Sequence, residues 1–277
     1  MCIKLLMLGL IVLVAPVLSH ANETADIHPY FRKHFFASLG VFFPDRKLEF
    51  ALDASVQGNE SIVDFSEQFG LDGTDETGAL ELGWRFREHW LFRAQFFKVD
   101  SATTAVLQQD VLWGDLIFNS GTSVVAGSDV AISRFFLGRH FRHNDVSEIG
   151  FGLGFHILDL EAFIRGNVTI DGSDAGFRDR TVSKSSPLPN LGAWYVHTMS
   201  PDWAFNLRVD WLSASVGDID GRILNAAAGL NYAPTEHFGV GVSYNLFELD
   251  VTINDPGWRG RAINRFNGAY IYLIAYW

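Results

Sequence analysis

The sequence holds a single cysteine, Cys2. It lies in an apolar leader expected to be removed. The remaining chain would then form no disulfide and offer no thiol nucleophile or thiolate metal ligand. Charge is scarce too: Asp, Glu, Lys and Arg make up 19% of the residues, against roughly 25% in an average soluble protein. Basic residues are the scarcer sign, 21 against 32 acidic, for a net charge of −11. That balance excludes nonspecific nucleic-acid binding, which needs a basic surface. Beyond residue 21 no apolar run reaches the about 18 residues that a further membrane-crossing helix requires.

What is present is aromatic and glycine-rich: 24 Phe, 8 Trp, 7 Tyr and 26 Gly. The leader "MCIKLLMLGLIVLVAPVLSHA" has the layout of a secretory signal, with Lys4 before an apolar run at Leu5–Leu18. That run falls short of the about 20 residues of a comfortable spanning helix. Ser19 and Ala21 occupy the −3 and −1 positions of a small-residue cleavage site, so a signal peptide over 1–21 is expected to be cut before Asn22. The absence of Cys at that point argues against a lipoprotein. A periplasmic N-terminal segment, 22–33, and one domain, 34–277, follow.

Strict alternation runs through that domain. Leu80, Leu82, Trp84 and Phe86 alternate with Glu81, Gly83, Arg85 and Arg87. Trp203, Phe205, Leu207, Val209 and Trp211 alternate with polar Asn206, Arg208 and Asp210. Phe238, Val240, Val242, Tyr244 and Leu246 alternate with Gly239, Gly241, Ser243 and Asn245. A period of two puts each set on its own strand face. The apolar stretches have the length of a tilted membrane-crossing strand. Aromatics gather at strand ends (Trp90, Trp203, Trp211, Phe238 and Trp277), where an interfacial girdle belongs. Arg and Glu on the other face would each cost several kcal/mol in a dry sandwich core, whereas a hydrated lumen accepts them. The pattern predicts a transmembrane, antiparallel, up-and-down β-barrel with lipid outside and water inside.

Short connections near 88–89, 143–145, 200–202 and 234–237 alternate with longer polar ones near 57–77, 101–128, 166–186, 216–220 and 252–262. Outer-membrane barrels pair short periplasmic turns with longer external loops. Ten strands follow, at roughly 34–56, 78–87, 90–100, 129–142, 146–165, 187–199, 203–215, 221–233, 238–251 and 263–277, with both ends of the barrel chain in the periplasm. Eight or twelve strands are the alternatives. Pro44 interrupts the first strand, and a bulge is expected there because proline removes a ladder donor.

The final stretch "NGAYIYLIAYW" must close the barrel, since an unpaired edge in lipid is forbidden. Ala269, Ile271, Leu273, Ala275 and Trp277 would face lipid. A terminal aromatic strand with Tyr270, Tyr272, Leu273, Tyr276 and Trp277 also resembles the signal that such barrels present to the barrel assembly machinery. The chain as a whole resembles OmpA-type small barrels, and most of all proteobacterial outer-membrane barrels with "ELGWRF", "GFGLGFHILDLEA" and "PLPNLGAWY" segments. The resemblance implies an outer-membrane location and a barrel fold, with no activity attached.

Motifs for chemistry are weak. "GFGLGF" lacks phosphate-loop spacing and no helix follows; its glycines read as room for large neighbours. His197, Thr198 and Ser200 lie close in sequence, yet beside a periplasmic turn rather than the outer leaflet where a lipid-A hydrolase would work. Ten strands also resemble the omptin proteases, whose Asp–His pattern Asp210, Asp218 and Asp220 do not match. Glu60, Asp64, Glu67, Asp72, Asp75 and Glu76 would suit a hard cation but lack EF-hand spacing. No enzyme activity, cofactor or metal is therefore expected.

The expected inner face carries Glu81, Arg85, Arg87, Arg93, Gln95, Asn206, Arg208 and Asp210. Paired Arg–carboxylate forks would fill so small a lumen; a narrow path for small solutes is the alternative. Lys98, Arg222 and Arg265 fall on the outward parity near the external strand ends, placed to meet lipopolysaccharide phosphates. Arg139 is outward too, rescued by its nearness to a turn. The expected partners are outer-membrane lipids, lipopolysaccharide, the assembly machinery and an unidentified extracellular ligand of the loops.

Overall fold

A computed structural model gives the structure of residues 27–277, apart from 53–54, 57–58, 61–72, 75, 109, 114–115, 171–172, 217–218 and 256–257. The leader and its cleavage site lie outside the described residues, as does most of the acidic stretch 60–76. Ten strands form the wall: β1 (Phe35–Leu52), β2 (Thr77–Phe86), β3 (Trp90–Val106), β4 (Ser123–His143), β5 (Ser147–Ile170), β6 (Ser173–Thr198), β7 (Trp203–Val216), β8 (Ile219–Tyr232), β9 (Phe238–Asp255) and β10 (Trp258–Tyr276). Each pairs antiparallel with its neighbour in sequence. The tenth closes on the first from Phe36↔Tyr276 to Leu52↔Gly260. The predicted up-and-down barrel of ten strands is thus the observed fold, and closure leaves the wall without an edge at the level of the ring.

The short connections 87–89, 144–146, 199–202 and 233–237 share one end with residues 27–34 and Trp277, called here the lower end. Three expectations need correction. Connections 101–128 and 166–186 are largely strand. β3 and β4 pair up to Val106↔Ser123, and β5 and β6 form one hairpin of 24- and 26-residue strands. That hairpin stands above β7, whose pairing with β6 stops at Leu191↔Trp211. On β5 its inward face is buried through Val168, and it is the polar composition of 166–186 that hides these strands in the sequence. The bulge at Pro44 is absent as well, because β1 keeps one continuous register along β10. The pairing of β1 with β2 ends at Phe42↔Thr77. The strand pairs again on that side at Asp45↔Thr74 and Arg46↔Gly73, so Pro44 falls between two paired stretches. A bulge does occur between Ile149 and Gly150, where β5 slips by one residue against β4.

The third correction concerns the interior. Side chains alternate in and out as expected, but the apolar face changes sides partway up. On β9 the outward residues Phe238, Val240, Val242 and Tyr244 are exposed, as is Glu248 above them, while inward Phe247, Leu249 and Val251 are buried. β5 shows exposed Ile149, Phe151, Leu153 and Phe155 below, then exposed Asp159 over buried Leu158, Leu160 and Ile164. β8, β3 and β4 switch likewise, at Arg222, Lys98 and Asp129. Below the switch the barrel is apolar outside and polar inside. Above it the barrel has an ordinary hydrophobic core, completed by Leu107, Val111, Leu116 and Phe118 from the 107–122 connection. The lumen is not wet along its length. Apolar side chains close it above, because a wall that rises into water must bury its apolar face inward.

Candidate functional site

The polar section of the lumen is built from three ion-paired groups. Nearest the lower end, Glu148 opens β5 and is buried. Arg85 of β2 donates to it through both terminal nitrogens, at 2.8 and 2.9 Å. Trp194 of β6 donates from Nε1 at 2.6 Å. His140 Nδ1 stands 3.4 Å from the same carboxylate and His140 Nε2 lies 3.1 Å from His89 Nδ1. Room for the Trp194 ring comes from Gly150 and Gly138, where any side chain would strike it. This is the predicted role of the "GFGLGF" glycines.

A one-turn helix, Pro29–Arg32, covers this group from below. Proline opens that turn and the buried His28 caps it, accepting a bond from the Tyr30 backbone at 3.1 Å. Tyr30 reaches into the barrel. Its hydroxyl donates to Glu148 at 3.3 Å and accepts from Arg93 at 3.1 Å, and the Arg85 guanidinium lies 4.1 Å from its ring centroid. Arg32 and Lys33 pin the segment to Glu236 of the 233–237 turn, at 3.2 and 3.6 Å. Arg32 holds the Glu236 carboxyl below its ordinary range. Burial without an opposite charge pushes His28 down to about 4.

Higher up, Arg134 of β4 and Asp210 of β7 form a bidentate pair at 2.6 and 2.7 Å, both nearly inaccessible. Between the two groups Glu81 is shared by Arg93 at 3.6 Å and Arg208 at 3.7 Å. Of the expected inner residues, Glu81, Arg85, Arg93, Gln95, Asn206, Arg208 and Asp210 line this section. Arg87 does not. β2 ends at Phe86, and Arg87 turns out into solvent with a positive φ of 49°. Four members of the layer were not anticipated: Arg134, Glu148, Trp194 and Tyr30. Arg134 shares the inward parity of Gly138 and His140, and the doublet Phe135-Phe136 beside it hides that parity.

Lys98, Arg222 and Arg265 are exposed on the outer wall above the apolar band. Each meets a carboxylate: Lys98 with Asp100 at 2.6 Å and Asp129 at 3.3 Å, Arg222 with Asp250 at 3.5 Å, Arg265 with Glu248 at 4.0 Å. In β10, Tyr270, Tyr272 and Tyr276 turn inward, while Leu273 and Trp277 are exposed outside. Trp277 continues an aromatic row with Phe35, at 6.0 Å, and Phe35 stacks on Trp84 at 5.7 Å. Arg139 faces outward, as its parity requires. His197 lies on the outer wall stacked on Tyr195 at 6.3 Å, while Ser200 Oγ accepts from Trp203 in the turn. No group of three or more metal-ligating side chains converges among the described residues.

No family model matches the chain, and no curated protein matches it in sequence. Three solved barrels are similar in outline. The outer membrane protease OmpT from Escherichia coli has a TM-score of 0.47 and 10% identity, over 88% of this chain and 96% of that one. Ail, the attachment invasion locus protein of Yersinia pestis, has 0.31 and 12%, over 88% and 97%. The Pseudomonas putida toluene transporter TodX has 0.35 and 9%, over 88% and 89%. The fold assignment stands on the strand pairing itself.

Proposed function

We propose that the chain is an integral β-barrel of the bacterial outer membrane with a shut lumen, acting as a structural or surface-interaction protein. The reversal of the apolar face carries this reading. Outward Phe, Leu, Val and Trp form a belt around the lower section, bounded above by charge on β3, β4, β5, β8 and β9. A belt of that kind suits hydrocarbon, and the switch marks the level where the wall leaves it. The lower end then faces the periplasm, and the long β5–β6 hairpin projects from the cell as the surface available to a partner. Closure below by Tyr30 and above by packed apolar side chains favours this reading over a solute channel. Planar-bilayer recording of the refolded chain should give no steady current; discrete channel openings that Arg208→Ala or Arg85→Ala alters would overturn it.

Two partner readings follow from the same placement. Lys98, Arg222 and Arg265 sit where lipopolysaccharide phosphates would lie, and phosphate would compete with Asp129, Asp250 and Glu248 for them. Binding of lipopolysaccharide that survives replacement of all three by alanine would remove this contact. Tyr270, Tyr272, Leu273, Tyr276 and Trp277 would be read by the assembly machinery before closure, while the inward tyrosines are still open. Normal outer-membrane yield of a Tyr276→Ala, Trp277→Ala double variant would discard the idea.

A further inference from the structure

The polar layer does not balance its charge. Among the described residues, guanidinium groups enter it at Arg85, Arg93, Arg134 and Arg208, and carboxylates at Glu81, Glu148 and Asp210. Arg85 has Glu148 and Arg134 has Asp210 in bidentate pairs. Arg93 and Arg208 must share Glu81, so one positive charge is left over between them. Protonation of a nearby histidine would add to the excess and could never cancel it. An uncompensated buried charge is among the costliest features a fold can carry.

The surplus lies beside a cavity of about 50 Å³ that Arg93, Arg208, Gln95 and Asn206 line, with Tyr30 as its lower wall. Arg93 is 8% exposed, Arg208 6% and Gln95 6%. The Nε atoms of both arginines and the Oε1 of Gln95 are buried without a hydrogen-bond partner; the nearest carboxylate to Arg208 Nε is Asp210, at 3.9 Å. A single water needs about 10–15 Å³ of such space, so the cavity suits one small ion with a water or two.

We infer that this cavity is a binding site for a small monovalent anion of the halide class. The anion lies against the guanidinium groups of Arg93 and Arg208 that line the cavity. It neutralises the surplus and so belongs to the folded barrel rather than to transport, since the packed section above blocks any path through.

Crystals of the refolded full chain grown in sodium bromide test this directly. An anomalous peak is expected in the cavity, within hydrogen-bond distance of both guanidinium groups. A cavity holding water alone would overturn the inference. In solution, exchanging gluconate for chloride at fixed ionic strength should raise the unfolding midpoint by about 2–4 °C, in a saturable way, as for a ligand that binds only the folded state. Arg208→Gln removes the surplus charge, and Arg93→Gln does the same should the first variant not fold. Either should lose the chloride dependence, and a variant that keeps the full shift would sink the assignment.

Discussion

The lower and upper sections of this barrel share strands, register and closure, yet they bury opposite kinds of side chain. Below the switch Arg134, Asp210, Glu81 and Glu148 fill the interior, and above it Phe247, Phe266, Leu249 and Ile132 do. The hydrogen-bonded wall is indifferent to what it encloses. The solvent outside decides: hydrocarbon takes the apolar face where it is present, and the core takes it where water is.

The largest break in that contrast should come from its polar half. Asp210→Ala would leave Arg134 buried beside no carboxylate of its own and should cost about 3–5 kcal/mol, read as a lower urea midpoint of the refolded barrel. Replacing both partners, Arg134→Met with Asp210→Leu, should be far milder, because nothing charged is left unpaired. Equal losses for the single and the double variant would show that the layer does more than fill space.

The outer wall sharpens the contrast further. Val242 and Thr252 lie on the same face of β9 on either side of the switch. Val242→Arg should cost about 2–4 kcal/mol in lipid vesicles, as for a charge in the apolar belt. Thr252→Arg should stay within about 0.5 kcal/mol. Similar costs at the two sites would place the membrane boundary elsewhere.

Tyr30→Ala removes the hydroxyl bonds to Glu148 and Arg93 and the ring under Arg85. A loss of about 1–3 kcal/mol is expected from the groups left unsatisfied, with faster proteolysis of the segment before β1. The smallest effect concerns acid. Hydrogen bonding from Arg261 holds the Asp250 carboxyl, above the belt, below its ordinary range. A depressed folded value means the contribution is present above the ordinary carboxylate range and is lost as pH falls through the folded one. Because the pair is partly exposed, added salt should blunt that loss. Salt-independent acid sensitivity that Asp250→Asn leaves unchanged would assign it to another group.

Much of this was legible because period two leaves few choices. The strands carrying Glu81, Arg93, Arg208 and Asp210 could face only one way without turning an arginine to the apolar side. Arg87 misled because parity does not say where a strand stops. The 166–186 stretch misled because its polar composition reads as a loop although its backbone pairs as strand. The switch itself left a trace: adjacent apolar pairs at Phe96-Phe97, Ile157-Leu158, Ile223-Leu224 and Leu246-Phe247 mark where the apolar phase changes sides.

Sequence alone pointed to ten strands, to the order of the wall and, within the well-alternating strands, to the face each side chain takes, since those follow from local alternation and from the need to leave no edge. Which charges meet was decided only in three dimensions. Arg134 and Asp210 are 76 residues apart, and Tyr30 finds Glu148 across 118. Such partners share no local pattern; the stagger of ten strands around a closed ring brings them to one height, and a closed ring is a property of the whole wall.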